Sequence, residues 1–141
     1  AALMYGDGFI TNTVKLLMEK RALLLEGIAA LKHARVEAPR GTIYGWVDFA
    51  GLKGSTVTAE ASETGAAYVI ATPADAMRYL VNVAGVCGVP GTPFYAPDSP
   101  AAASDWHVRI SFCCETAQLK TALANLANAE KLLQGGSSQA A

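Results

Sequence analysis

The chain has 141 residues, of which 52% are hydrophobic and 16% are charged. This is enough chain for one domain with a substantial core, and too little for two domains of ordinary size. The formal net charge of −1 lacks the basic excess that nucleic acids and anionic membranes attract, so neither is expected as a partner. The sequence also has no apolar run of membrane-spanning length.

A long amphipathic helix is the first predicted element, from Thr11 to Leu31, with Asn12 or Thr13 as its N-cap. A helix of about 20 residues is roughly 30 Å long, which is more than one small core needs. Leucines also lie off its main apolar stripe, so the pattern favours a helix that bridges two domains. The stripe consists of Val14, Leu17, Met18, Leu24, Leu25, Ile28 and Leu31, and the leucines off it are Leu16 and Leu23.

The segment from Thr42 to Phe49 alternates as a half-buried strand does. Gly45 within it weakens the strand and suggests close approach of another backbone or a ligand. Tyr44 and Trp46 either line a pocket or pack as core or interface residues. The two faces of the strand carry Ile43, Val47 and Phe49 on one side, and Tyr44, Trp46 and Asp48 on the other.

The helix in TPADAMRYLVNVAG has the best-marked ends of the predicted elements. Thr72 is a suitable N-cap, Pro73 fits the first helical position, and Asp75 completes a capping-box spacing. Gly85 is a natural stop. Before this helix, residues 51–72 resemble a loop that contains a hairpin of Thr56–Glu60 and AAYVIAT. The buried stripe of the helix is predicted to be Met77, Leu80, Val81 and Ala84.

A glycine-rich segment, GVCGVPG, follows this helix. It lacks the GxGxxG spacing, and Pro90 removes a backbone donor that a phosphate would need. A helix stop, a short strand at VCGV and a turn at Pro90-Gly91 therefore explain it better. Residues 92–105 are predicted to form a surface loop flanked by two solvated carboxylates, Asp98 and Asp105.

The segment WHVRISF alternates again, with Val108, Ile110 and Phe112 on the predicted core face. A periodic helix from Thr116 to Leu133 and a flexible QGGSSQAA tail complete the chain. The element order predicts an α/β or α+β two-layer domain, in which helices cover a small mixed sheet.

Arg109, in the middle of the second alternating strand, is the strongest candidate for a functional residue. Its guanidinium offers a rigid fork of donors that binds a carboxylate through two hydrogen bonds, whereas a lysine offers a mobile point charge. A strand is also a stiffer support than a loop. The competing interpretation is a solvated arginine or a surface ion pair. His33 and His107 are interpreted as structural, because no spacing groups either with a nucleophile and an acid.

The cysteines, Cys87, Cys113 and Cys114, are odd in number, and two of them are adjacent. Adjacent Cβ atoms on a strand point to opposite faces, so this pair is poorly placed for a disulfide. No cysteine or histidine spacing is typical of a metal site. Reduced thiols are typical of a cytoplasmic protein.

Three motifs, taken in order, resemble a known family. APRGTIYGWVDF, AGVCGVPGTPF and WHVRISF, followed by an amphipathic helix, are similar to the C-terminal small domain of class I/II aminotransferases. These are pyridoxal-phosphate enzymes of the aspartate-aminotransferase-like fold, fold type I. NTVKLLMEKRALLLEGIAAL likewise resembles the long interdomain helix of that fold. The resemblance covers nearly the whole chain, from about Ala1 to Leu133.

The resemblance implies a function and a role for Arg109. It matches the arginine that binds the α-carboxylate of an amino acid, whose amino group passes by way of pyridoxal phosphate to a 2-oxo acid. It implies a homodimeric parent enzyme. Pro39 and Gly41 match the turn entering the first strand, and Pro90 and Gly91 match a segment that closes over the active site.

The chain departs from the family pattern in three respects. No part of it matches the motifs of the Schiff-base lysine, of the aspartate that pairs with the pyridine nitrogen, or of most phosphate ligands. Residues 51–72 look like an insertion with an extra hairpin, and Tyr95 stands where many relatives have glycine. We therefore expect no catalytic, cofactor-binding or metal-binding residue in this chain, and no transamination by the chain alone.

The start of the sequence, AALMYGDGF, lacks a methionine and resembles the end of a helix followed by a Gly-Asp-Gly turn. We expect residues 1–32 to comprise the end of a large domain and the interdomain helix, residues 33–134 the small domain, and residues 135–141 a flexible tail. The alternatives are a stand-alone carboxylate-binding module and a protein-interaction domain without catalytic activity.

Overall fold

The computed structural model describes residues 6–96 and 98–135, which form three α-helices, seven short strands and three single 3-10 turns. The helices are α1 (Asp7–Ala29), α2 (Pro73–Asn82) and α3 (Thr116–Glu130). The strands are β1 (Arg35–Val36), β2 (Tyr44–Asp48), β3 (Thr56–Val57), β4 (Tyr68–Val69), β5 (Val89–Pro90), β6 (His107–Ser111) and β7 (Leu133–Gln134).

Two antiparallel sheets organise the described residues. The large sheet has the strand order β1-β2-β6-β5, and the small sheet has the order β4-β3-β7. The expected helix-and-sheet architecture is confirmed, but the expectation of a mixed sheet is wrong within the described residues. The physical reason is the direction of β6, which lies antiparallel to both of its neighbours, β2 and β5.

The alternating strands pack as their sequences indicate. Val47, Val108 and Ile110 are buried against the helices, whereas Tyr44 and Trp46 are exposed on the opposite face of the large sheet. Gly45 marks a close approach, although the approaching group is neither backbone nor ligand. A Cβ at this position would lie 2.6 Å from the Cδ2 atom of Leu24 on α1.

Helix α1 extends beyond the core at its N-terminal end. Lys20, Leu24 and Ile28 are buried in its C-terminal half, while Phe9, at the other end, is 76% exposed. The helix begins at Asp7 rather than near Thr11, so the predicted Gly-Asp-Gly turn and N-caps are wrong. An aspartate in the first turn interacts favourably with the helix dipole. Further exposed apolar residues of this half are Ile10, Val14, Leu16 and Met18.

None of the helices in the described ranges is long and apolar enough to cross a membrane. Residues 1–5 and 136–141 lie outside the described residues, and with them lie most of the predicted tail and the beginning of the predicted first domain. The expected division into three parts therefore remains a prediction.

Helix α2 confirms the predicted capping box. The Thr72 hydroxyl accepts a hydrogen bond from the Asp75 backbone N–H, and the Asp75 carboxylate accepts one from the Thr72 N–H. The side-chain hydrogen bond from Thr72 is the main reason that the pKa of Asp75 lies below its usual value. The predicted stripe is wrong at Val81, which is 43% exposed, because the helix turns Tyr79 and Ala76 into the core instead.

The end of the chain folds differently from the sequence prediction. Helix α3 ends at Glu130, and Leu133–Gln134 forms β7, the third strand of the small sheet. β7 pairs with β3, which pairs on its other side with β4 as the predicted hairpin. The 51–72 segment is therefore joined to the end of the chain by a sheet.

The carboxylate of Glu130 joins the end of α3 to the turn after α1. Its Oε1 atom accepts a hydrogen bond from the backbone N–H of His33 at 2.9 Å and lies 2.8 Å from the His33 Nδ1 atom. Both of its oxygens also accept from the Lys32 N–H, at 2.9 and 3.0 Å. This carboxylate therefore satisfies two backbone donors in the turn that follows α1.

We expect Glu130→Ala to lower the free energy of unfolding by about 2 kcal/mol, because hydrogen bonds to a charged group are worth about 1.5–3 kcal/mol. Glu130→Gln retains an acceptor oxygen and should lose less than half as much. Urea unfolding followed by circular dichroism measures both variants. An equal loss in the two variants would contradict this account of the contact.

Candidate functional site

The solvent-facing side of the large sheet carries the candidate site. Arg109 on β6 is half-buried and lies opposite Trp46 on β2 and Val89 on β5 in the strand register. Because side chains alternate along a strand, His107 and Ser111 lie on the same face as Arg109. β6 is one of the two interior strands of this sheet, and antiparallel pairing on both of its sides makes it a rigid support for the arginine.

Two aromatic rings hold the Arg109 guanidinium. Its Cζ atom lies 4.4 Å from the centroid of the Tyr44 ring and 5.0 Å from the centroid of the Phe94 ring. Tyr44 belongs to β2, and Phe94 belongs to a single 3-10 turn, Thr92–Phe94, that follows β5. Each such cation–π contact contributes about 0.5–2 kcal/mol and restricts the orientations of the guanidinium.

Arg109 has no acidic side chain within 4.0 Å across residues 6–96 and 98–135. The surface ion pair that the sequence left open is therefore not formed within this part of the chain. Arg78 provides a contrast on another part of the surface. It also lies over an aromatic ring, 4.1 Å from the centroid of Tyr68, but it pairs with Glu63. The Arg109 guanidinium retains donors for an anion that is not part of its own surroundings.

Asp105 and His107 form a second part of this face. Asp105 is buried, and its Oδ1 atom lies 2.6 Å from His107 Nδ1 and accepts a hydrogen bond from the His107 N–H at 3.2 Å. The expectation that Asp105 is solvated is therefore wrong, whereas Asp98 is exposed. The physical reason is Gly91, whose missing side chain leaves the space that the Asp105 carboxylate fills.

Trp46 joins these two parts. Its ring stacks on the His107 imidazole, with centroids 5.6 Å apart and an interplanar angle of 16°. The same ring meets Phe94 edge-on at 5.2 Å and 82°. Trp46 is 37% exposed and lines a cavity of about 540 Å³. The interpretation of Trp46 as a core residue is therefore wrong and it lines a pocket, while its role as an interface residue stays a prediction. The rest of the cavity wall consists of Arg35, Val36, Glu37, Asp48 and His107.

A second cavity, of about 500 Å³, lies on the other side of the domain between α1 and the turn that enters β2. Pro39 and Gly41, which the motif resemblance singled out, line it together with the apolar Leu17 and Phe112. The side chain of Arg21 closes one edge by donating a hydrogen bond to the Pro39 carbonyl at 2.8 Å. This cavity is mainly apolar and does not include Arg109.

The GVCGVPG segment folds as a stop, a strand and a turn, as predicted. Gly85 has a positive φ of 65° three residues after the last helical residue, Asn82, and Val89–Pro90 forms β5. The strand has two residues rather than the four of VCGV; it begins three residues later, at Val89, and includes Pro90 of the predicted turn. Gly91 then donates its N–H to the carbonyl of His107 at 2.8 Å, which ties this turn to the start of β6.

Two of the six lysines have side-chain partners away from Arg109. Lys20 is buried and donates to the Cys114 carbonyl at 2.6 Å, and Lys131 donates to Asn128. Neither lysine belongs to the Arg109 cluster. The three cysteines are free, and no group of three potential metal ligands occurs in the described ranges.

Solved structures define the class of protein to which this geometry corresponds. An aspartate aminotransferase from Rhizobium meliloti matches with a TM-score of 0.70 and 28% identity, over 89% of this chain and 28% of its own. A Corynebacterium diphtheriae chain, named as a PLP-dependent β-cystathionase, and an aspartate aminotransferase from Rhodobacter sphaeroides both match with TM-scores of 0.65 and 19% identity. These two alignments cover 92% of this chain, and 28% and 27% of theirs.

The chain has the fold of one segment of the fold-type I aminotransferases. The resemblance to this family that the three sequence motifs predict is confirmed. This chain spans only about 28% of the length of the R. meliloti enzyme. No family model and no curated protein match it.

Sequence reasoning selected Arg109 as a candidate but did not predict the Phe94 ring beside it or the burial of Asp105 against His107. Phe94 lies in a loop, and nothing in the pattern GTPFY indicates that its ring faces an arginine on a later strand. Asp105 carries the only usable signal, because an aspartate two residues before a strand histidine is within reach of its imidazole. The predicted pairing of Tyr44 and Trp46 on one face is confirmed.

Proposed function

We propose that this chain is the part of a pyridoxal-phosphate-dependent aminotransferase that binds the carboxylate of its substrate. The observation that carries the proposal is the state of Arg109. It lies on an interior strand between two aromatic rings, and no acidic side chain within the described residues pairs with it. A guanidinium held in this way presents paired donors to a planar carboxylate.

In the proposed enzyme, Arg109 binds the α-carboxylate of an amino acid and then that of the 2-oxo acid that receives the amino group. The rings of Tyr44 and Phe94 limit the directions in which the guanidinium can point. The bound carboxylate is thus fixed in one orientation, and this orients the neighbouring Cα–H bond for removal of its proton. The groups that bind the cofactor and remove the proton are supplied by the rest of a longer protein, of which this chain is one segment.

The cofactor site and the subunit contacts belong to the same proposal. Because no part of the chain matches the family's motif for the Schiff-base lysine, we place pyridoxal phosphate outside this chain and expect the chain alone to be inactive. The fold of the R. meliloti enzyme supports the assignment to an amino-transferring class. A homodimeric parent and a cytoplasmic location, which free cysteines favour, complete the proposal.

The test compares the longer protein with the isolated chain. We expect the longer protein, supplied with pyridoxal phosphate, to move 15N from labelled L-aspartate or L-alanine to 2-oxoglutarate, and the isolated chain to move none. Calorimetric titration of the isolated chain with the same amino acids should give no binding. A dissociation constant below about 1 mM for the isolated chain would instead identify a stand-alone carboxylate-binding module. Absence of transfer by the longer protein across the common 2-oxo acids would also overturn the proposal.

A further inference from the structure

A continuous set of contacts leads from a buried carboxylate to the Arg109 guanidinium. It begins at Asp105, whose side chain is only 3% exposed and whose Oδ1 atom lies 2.6 Å from His107 Nδ1. The other oxygen, Oδ2, has no hydrogen-bond partner within the described residues. It lies 1.6 Å from the position that a Cβ atom on Gly91 would take. The carboxylate is thus fixed on one side by the imidazole and on the other by a backbone that must be glycine.

The imidazole of His107 then fixes two aromatic rings. Stacking at 5.6 Å and 16° aligns the Trp46 ring with it, and the Trp46 ring meets Phe94 at 5.2 Å. Phe94 in turn lies 5.0 Å from the Arg109 Cζ atom. The backbone of Phe94 is also connected to His107. The Phe94 N–H donates to the Gly91 carbonyl at 2.9 Å, and the Gly91 N–H donates to the His107 carbonyl.

These contacts restrict the conformational freedom of the Arg109 side chain, which has no acidic partner within the described residues. A free arginine side chain loses rotamer entropy on being fixed, and a ligand that had to fix it would bind more weakly for that reason. Rings that are already fixed remove part of this cost before the ligand arrives. The two rings beside the guanidinium differ in what holds them in place. Tyr44 is carried by β2 itself, whereas Phe94 depends on a short loop.

We propose that Asp105 and His107 are positioning residues for Arg109, which act by holding Trp46 and Phe94 against its guanidinium. This inference rests on the proposed function only in the identity of the ligand, a substrate carboxylate. We expect His107→Ala to raise KM for the amino-acid substrate of the longer protein about tenfold while kcat changes less than twofold. Loss of binding common to ground state and transition state gives this pattern. His107→Phe keeps a ring over Trp46 and should recover at least half of the loss on a logarithmic scale.

His33→Ala is the matched control for these variants. His33 also contacts a carboxylate through Nδ1, that of Glu130 at 2.8 Å, and it makes no ring contact with Trp46. The variant should lower stability without changing KM. If Arg109→Gln leaves KM unchanged, the proposed function is wrong. If Arg109→Gln raises KM but His107→Ala changes it by less than twofold, only the positioning role is wrong.

Fluorescence tests the same contacts without any activity. The part of the emission that is lost in Trp46→Phe should change in His107→Ala and stay as in the wild type in His33→Ala, because His107 stacks on the indole and His33 does not. An unchanged Trp46 emission in His107→Ala would overturn the proposal.

Discussion

Replacing Arg109 with glutamine is expected to lower kcat/KM for the amino-acid substrate of the longer protein on the order of 100-fold. Two charge-assisted hydrogen bonds to a carboxylate contribute about 1.5–3 kcal/mol each, and 1.4 kcal/mol corresponds to a factor of ten. Arg109→Lys keeps the charge but loses the planar fork and its contact with the rings of Tyr44 and Phe94. We therefore expect it to lower kcat/KM about tenfold or more.

Arg78→Gln is the matched control for this measurement. Arg78, like Arg109, lies over an aromatic ring, but it has Glu63 as an ionic partner. Arg78 therefore has the same charge and the same kind of ring contact as Arg109. The difference is that Glu63 occupies hydrogen-bond donors of Arg78, whereas the corresponding donors of Arg109 are free to bind a ligand. Steady-state kinetics with varied amino acid should give wild-type KM for Arg78→Gln. A KM for Arg109→Gln within twofold of wild type would exclude this arginine as the carboxylate-binding group.

The second large effect is expected at Gly91, where alanine should lower the free energy of unfolding by about 3 kcal/mol. An added Cβ would lie 1.6 Å from Asp105 Oδ2, 2.7 Å from Asp105 Cγ and 3.2 Å from the His107 carbonyl oxygen. The Asp105 side chain is short, buried and bonded to His107, so it cannot turn away without losing that bond. Overpacking of a tightly packed site costs about 1–3 kcal/mol, and the lost hydrogen bond adds to it.

Gly41→Ala makes the same change where no heavy atom lies within 4 Å of the added Cβ. Like Gly91, this residue lies in a loop outside the left-handed region of φ. It should change the free energy of unfolding by less than about 0.5 kcal/mol, as is usual for substitutions away from the core. Urea unfolding of both variants provides the comparison. Similar stabilities for the two would show that the Asp105 side chain adapts to the added methyl group.

Local chemistry accounts for the parts of the fold that the sequence predicted well. Thr72, Pro73 and Asp75 define the start of α2 through bonds between neighbours in the chain, and this information is present in three residues. Alternation likewise assigned Val108 and Trp46 to opposite faces of their sheet. In each case, the determining interactions are local, or they depend only on which residues must avoid water.

The features that sequence reasoning missed depend on contacts between distant segments. The strands β1 and β7 contain two residues each, so neither can show a period, and their partners alone define them. The burial of Asp105 depends on the space at Gly91, and the contact of Phe94 with Arg109 depends on how a loop folds over the sheet. For the same reason, Arg109 could be chosen by its residue type, while the rings that hold it could not.

The pairing of β7 with β3 determines the order in which this chain is able to fold. The hairpin of β3 and β4 forms between near neighbours, but two-stranded units are marginal in water, and its third strand is almost the last part of the described chain to be synthesised. Strand β2 similarly pairs with β6, which comes much later in the chain. The small sheet is complete only when β7, which follows α3 in the chain, has paired with β3, so we expect its closure to be a slow, late step in folding.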